Sequence, residues 1–486
     1  MTSFSNDAFS PAPAPMGDST EQRPRVPDPG SRLGAKVAWV LSFLLMTVLV
    51  VKNQVLDAEA PVPMQTNPVE VRPPEAGDAV SLTMKFGAAF KQFLGPEAAR
   101  QTVDSLAQSA RTDAEKVRLA IVAGELVGEK EALARLAEVK AEGVLADDVR
   151  VLREAYEGAG KVTDPAQKQQ LIDRHGWFGK LASLHGVPDS DPAREELFAF
   201  VGPVLFAMAL MVGVLFVAVV GGIAAFISML VQLSNGKIRR AFVPPAPGGS
   251  VYLEVFPFFV AGFLALSTGF ALYAHWSGSK SPNLAVAQLA TQWVLALFPL
   301  YPVVFRGVPF AQWRREVGLH SGAGFWREVG AGIYGYFAGL PLLAAAIMVS
   351  FAVIMVKMWM SGPDATPPQN PIMEVLGQGS TAVVVALFVL ATCWAPLVEE
   401  TVLRGCLFRH LRSRWKLVGA AVVSALFFGL MHGYNILLLS PVITIGFVFA
   451  LMREWRGSLI GSITAHFLHN ATVMTVVLVL LYALQE

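Results

Sequence analysis

From Leu197 to the end of the chain, apolar residues come in runs about as long as a bilayer is thick. A hydrocarbon core of about 30 Å takes roughly 20 residues of helix to cross. Inside it, helices satisfy every backbone N–H and C=O within one segment. The runs fall at 197–231, 251–274, 284–305, 329–356, 381–398 with its continuation, 417–434, 436–452 and 458–484, with 436–452 the shortest. Val37–Val51 adds one more, which makes about nine hydrophobic segments. Composition agrees: 54% of residues are hydrophobic and only 15% charged, against about 25% charged in soluble domains. A net charge of +1 excludes the basic footprint of a nucleic-acid binder. Two cysteines, Cys393 and Cys406, cannot build a disulfide framework and read as small apolar fillers.

The fold class is therefore all-α: a polytopic transmembrane helix bundle plus an extramembrane helical domain. Residues 1–33, with Pro11-Ala-Pro-Ala-Pro15, lack the material for a core and read as a disordered cytoplasmic tail. Residues 34–56 read as a transmembrane signal anchor, with Arg32 and Lys36 before the apolar run and Lys52 after it. Ala58-Glu59-Ala60 resembles a cleavage site. The long leader and Pro61 argue that the anchor is retained. Residues 57–195 regain charge and place apolar residues at helical spacing, as in Ala114–Val122 and Ala132–Val139. They read as an extracytoplasmic helical domain that packs or binds a protein partner. Residues 196–375 read as membrane helices rich in Gly, Ala and Ser for close packing, and 376–486 as the membrane segment that carries chemistry.

Basic residues cluster in alternate loops: Arg32/Lys36, Lys237/Arg239/Arg240, Arg306/Arg314/Arg315/Arg327, Arg404–Lys416 and Arg453/Arg456. By the positive-inside rule these loops and the N-terminus are cytoplasmic, and residues 57–195 and Glu486 lie outside.

Ionisable residues inside a membrane are costly and mark function by default. Three stretches interrupt the apolar pattern of the last hundred residues: Glu399-Glu400-Thr-Val-Leu-Arg404, Phe428-Gly-Leu-Met-His432 and His466-Phe-Leu-His469-Asn470, with Tyr434-Asn435 after the second as a helix end. If the Glu399 helix runs on to about Trp415, Glu399 and His432 lie 16 residues from the basic edge and His466 lies 10. At 1.5 Å per residue the depths are roughly 24, 24 and 15 Å, which tilt reduces, so all three can meet in one layer. Glu400 and Arg404, at i,i+4, can pair, which leaves Glu399 about 100° round the helix. Gly433 permits the helix to end beside His432, as a break lining a cavity would. A carboxylate with an imidazole can deprotonate water for attack on a carbonyl. A second imidazole and an amide can stabilise the oxyanion. Glu399, His432 and His466 could instead hold zinc, although the H-E-x-x-H pattern is absent.

The ordered set Glu-Glu-x-x-x-Arg, Phe-x-x-x-His and His-x-x-x-Asn closely resembles the CPBP family, which comprises type II CAAX prenyl endopeptidases and bacteriocin-processing (Abi) proteins. The resemblance covers about residues 375–486. It implies an intramembrane endopeptidase in which Glu399 and His432 activate water and His466 and Asn470 form the oxyanion hole. Glu400 and Arg404 would be a supporting pair and Phe428 a packing position, with His469 a bystander. The amide of Asn470 favours metal-independent chemistry with no cofactor, zinc on Glu399, His432 and His466 being the alternative. The expected substrate is a peptide, a lipoprotein or a membrane protein, and the expected location is a bacterial plasma membrane. Two other readings compete: a non-catalytic scaffold or immunity-type factor working through residues 57–195, and a proton-relaying transporter. The latter is disfavoured because the Glu-Glu-x-x-x-Arg motif has no repeat in 197–356.

Overall fold

The computed structural model describes residues 25–53, 79–91, 94–110, 112–158, 162–278, 282–361 and 381–482. The expected tail before Arg25, the cleavage-like Ala58-Glu59-Ala60 and Glu486 lie outside the described residues. Among those described there is no strand, only an isolated parallel bridge between Pro27 and Ala246. Contacts divide the chain into two units: one of residues 1–60, 212–375 and 379–476, the other mainly of residues 61–211.

Eight helices among the described residues are long and apolar enough to cross a membrane. α1 (Arg32–Val51) starts where the Ser31 side chain accepts a hydrogen bond from the Gly34 N–H. α2 (Val201–Ser234) and α3 (Val251–Ser277) follow, then α4 (Val286–Val304) and α5 (Phe325–Ser361). α6 (Thr381–Arg412) carries the Glu-Glu pair. α7 (Leu417–Met431) is apolar but only 15 residues long. α8 (Leu439–Arg456) and α9 (Ile460–Tyr482) complete the bundle. The segment that falls short of a span is thus α7, not 436–452, whose helix with its preceding turn extends over Ile436–Arg456. Gly433, with φ +68°, stops α7 early: its left-handed backbone breaks the helix directly after His432.

α6 sits at the centre. Val402, Leu403, Cys406, Leu407 and Phe408 are all fully buried, among α3, α7 and α8. The helix is not uniform: Leu390–Trp394 and Thr401–Leu407 are π-helical and flank Glu399 and Glu400. Pro396 has no N–H to donate to the carbonyl four residues back, which loosens the turn before it. Inserted π turns of this kind recur at functional sites.

One end of this unit is closed by charge pairs. Asp28 accepts from Nε and Nη2 of Arg409, at 2.6 Å to the latter. Glu254 accepts from Arg306, Tyr301 and Ser250. Arg412 forks onto Glu454, and Arg456 onto Glu328, at 2.8–2.9 Å. The basic clusters read from sequence as topology signals are here also fasteners between helices.

The second unit has its own core. The helix Asp113–Leu126 begins with a reciprocal capping box between Thr112 and Glu115. It is buried from Val117 to Glu125 on every side rather than along one stripe, because neighbouring helices, among them Glu129–Ala137 and Trp177–Ser183, surround it. Asp164 and Asp191 cap the helices Pro165–His175 and Pro192–Leu197, each with Pro at the first position. Buried Glu125 is held by Arg194 and Lys91, and buried Asp148 by Arg174 and His175.

Candidate active site

The residues singled out in α6, α7 and α9 meet around one ring, Phe428. The Arg404 guanidinium lies over its face at 4.4 Å. The His432 ring meets it edge-on at 4.6 Å, and the His466 ring likewise at 5.6 Å. Phe428 therefore does more than fill space: its ring touches the Arg404 guanidinium and both imidazoles.

Arg404 and Glu400 are fully buried and paired at 2.7 Å, as i,i+4 spacing requires. The second arm of Arg404 donates to the Gly446 carbonyl on α8 at 2.8 Å. Gly446 has to be glycine: a Cβ there would lie 2.7 Å from Phe428 Cδ1 and 3.1 Å from Arg404 Nη2. Arg404 is further enclosed by Phe449, 5.4 Å away.

His466 is buried and stacked on Phe449, ring centroids 5.0 Å apart. Its Nε2 is 4.0 Å from Glu399, and its Nδ1 is 3.3 Å from Glu400. The second contact has ion-pair distance but not hydrogen-bond alignment, for Nδ1 has no hydrogen-bond partner. Glu399 is the more open carboxylate, its side chain 18% exposed against 0% for Glu400. Oε2 of each is buried without a hydrogen-bond partner among the described residues, leaving acceptor capacity for a donor bound between them.

His432 ends α7. Its Nδ1 is 2.7 Å from the Phe428 carbonyl. A carbonyl can only accept, so Nδ1 carries the proton and Nε2 is the basic atom. Asn470 donates through Nδ2 to the Ala391 carbonyl at 2.7 Å, in the first π turn of α6. That bond uses one of two amide protons. His469 has its ring contact with Tyr336 on α5, 6.2 Å away. Asn435 caps the short turn Ile436–Leu438 by accepting from Leu437.

Three contributors have no signal in the motifs. Phe449 and Gly446 stand in α8, an otherwise ordinary apolar stretch. Asn53, just past α1, lies over the break after His432: a Cβ on Gly433 would be 3.1 Å from its Nδ2. Among the described residues no group of three His, Cys, Asp or Glu side chains is spaced to hold a metal ion. His466 is turned to the two carboxylates, and His432 turns Nδ1 to a backbone carbonyl, which leaves its Nε2 open.

Comparison with known proteins bears on the same segment. Residues 381–472 match the family model described as Rce1-like, type II CAAX prenyl endopeptidase. The resemblance read from the three motifs thus holds over α6 to α9, and the match is to a family of membrane proteases. Together with the eight apolar helices it makes this an integral membrane protein. A protein of Escherichia coli described as "Uncharacterized 24.3 kDa protein" is 29% identical over 133 residues, 26% of this chain and 59% of that protein. The chain thus spans 59% of the length of that relative. No solved structure matches.

Proposed function

We propose that α6 to α9 form an intramembrane endopeptidase that hydrolyses peptide bonds with water activated by Glu399 and His432. The observation that carries this reading is the meeting of two carboxylates and two imidazoles around Phe428, within a segment that matches a protease family. Nε2 of His432 is the free basic nitrogen, and Glu399 has an unpartnered oxygen. Water held between them would give up a proton and attack the scissile carbonyl. N–H groups of His466 and Asn470 would stabilise the oxyanion. Arg404 would fix Glu400 and offset its charge, which keeps Glu399 available. The Asn470 amide, an unusual zinc ligand, supports chemistry without a metal.

The substrate in this reading is a peptide, a lipoprotein or a membrane-protein segment presented within or at the edge of the bilayer. The basic clusters support a cytoplasmic N-terminus, with residues 57–195 as an extracytoplasmic module for a protein partner. The test is a proteolysis assay on the reconstituted full chain, with and without chelator. We expect chelator-resistant cleavage that disappears in Glu399→Ala and His432→Ala while both variants stay folded. Full activity in both would sink the proposal, and chelator-sensitive cleavage would replace the metal-free version.

A further inference from the structure

Outside the candidate site, the membrane unit carries an apolar groove of about 620 Å³ between α1 and α7. Trp39, Phe43 and Val51 form one wall, Phe427 and Leu430 the other, and Trp415 stands at one end. Its one hydroxyl, on Thr47, already donates to the Phe43 carbonyl, and the lining carries no charged side chain. From Trp39 to Val51 the groove follows 12 residues of helix, or roughly 18 Å at 1.5 Å per residue. That is close to the thickness of one leaflet, about half of a 30 Å core.

The end at Trp415 has a distinctive charge. Most arginines of the nearby cluster are engaged: Arg404 with Glu400, Arg409 with Asp28 and Arg412 with Glu454. Arg414 and Lys416, on either side of Trp415, are exposed and form no ion pair with a described residue. A half-exposed tryptophan between two free cations is the composition of a helix end at the headgroup layer. A groove of leaflet length with a cationic mouth matches one ligand class in shape and charge together.

We propose that the α1/α7 groove is a binding site for an anionic phospholipid, one acyl chain lying along Trp39, Phe43 and Phe427 and the headgroup phosphate held by Arg414 and Lys416. The far end of the groove, at Val51 and Leu430, is two residues from Asn53 and from His432. A bound chain therefore braces α1 against the helix break that carries His432. The site does not depend on the protease reading, since its occupancy is measured without any cleavage.

The experiment is native mass spectrometry of the full chain in detergent, titrated with phosphatidylglycerol or with phosphatidylcholine of the same acyl chains. Wild type should retain phosphatidylglycerol more tightly. The double variant Arg414→Gln/Lys416→Gln, at exposed positions, should lose phosphatidylglycerol affinity by roughly 30-fold, about fivefold per surface cation, and leave phosphatidylcholine unchanged. Leu430→Trp, which fills the groove, should weaken both lipids. Equal affinity for the two lipids in wild type, or phosphatidylglycerol binding that neither variant alters, would overturn the proposal. So would a protein dimer, free of lipid, that Leu430→Trp dissociates, because a second copy would then occupy the groove.

Discussion

Replacing Arg404 with Met tests the most heavily committed interaction in the membrane unit. Arg404 and Glu400 are both fully buried, 2.7 Å apart, and Arg404 also holds the Gly446 carbonyl. Removing the cation leaves Glu400 ionised or forced to take up a proton, with Glu399 beside it and no compensating charge. Breaking a buried pair from one side costs about 3–5 kcal/mol. The hydrogen bond to Gly446 adds about 1–3 kcal/mol for the unsatisfied carbonyl. Replacing both partners with neutral groups of similar volume removes the uncompensated charge. Arg404→Met/Glu400→Gln should therefore recover about 2 kcal/mol or more relative to Arg404→Met. The assay is reversible unfolding of the full chain in mixed micelles, run as a double-mutant cycle. If the two single losses simply add, Arg404 and Glu400 are not coupled, and the argument that the arginine exists to support the Glu pair is refuted.

Gly446→Val should destabilise the bundle by about 1–3 kcal/mol through overpacking, since even its Cβ falls 2.7 Å from Phe428; the same unfolding assay checks it, with Gly446→Ala expected to lie between. Asp28→Asn should weaken a charge-assisted fork onto Arg409 by about 1.5–3 kcal/mol, and faster limited proteolysis within residues 25–31 would report it. In the second unit, burial pushes the His175 imidazole below its ordinary value, with the Asp148 contact opposing the shift, and burial lowers His185 in the same direction. A depressed imidazole contributes stability that is complete above the unfolded value of about 6.5 and is lost as pH falls through the folded value. Protection factors for hydrogen exchange in Pro165–His175, which remove the intrinsic slowing of exchange in acid, should accordingly fall on acidification below about pH 6.5 and show a shallower dependence in His175→Phe. Unchanged protection factors would remove both histidines from the unit's pH response.

Features set by neighbours along the chain were legible in the sequence. The Glu400–Arg404 pair follows from i,i+4 spacing, and the end of α7 at His432 follows from Gly433. Continuous apolar length gave the number of segments, although only the structure identifies α7 as the short one. Partnerships between distant segments were not legible. Asp28 and Arg409 are 381 residues apart, and no periodicity links a residue before α1 to the end of α6. Phe449 and Gly446 are indistinguishable from other apolar positions until Arg404 and His466 are packed against them. The depth count assumed an even helix, whereas two π turns flank the Glu pair and reset the direction of the side chains around it. The same limit explains the helix Asp113–Leu126: local spacing reveals a helix, but its burial on all sides depends on elements elsewhere.

The central claim, that Glu399 and His432 together activate water, is tested most directly by measuring cleavage of one defined membrane substrate by Glu399→Gln, His432→Gln and the double variant in liposomes. Each single change should reduce turnover by about 100-fold or more, as loss of a positioned acid or base does. The double should be little worse than either single variant, because the two act as one unit. Turnover within a few-fold of wild type in a folded Glu399→Gln variant would contradict the claim.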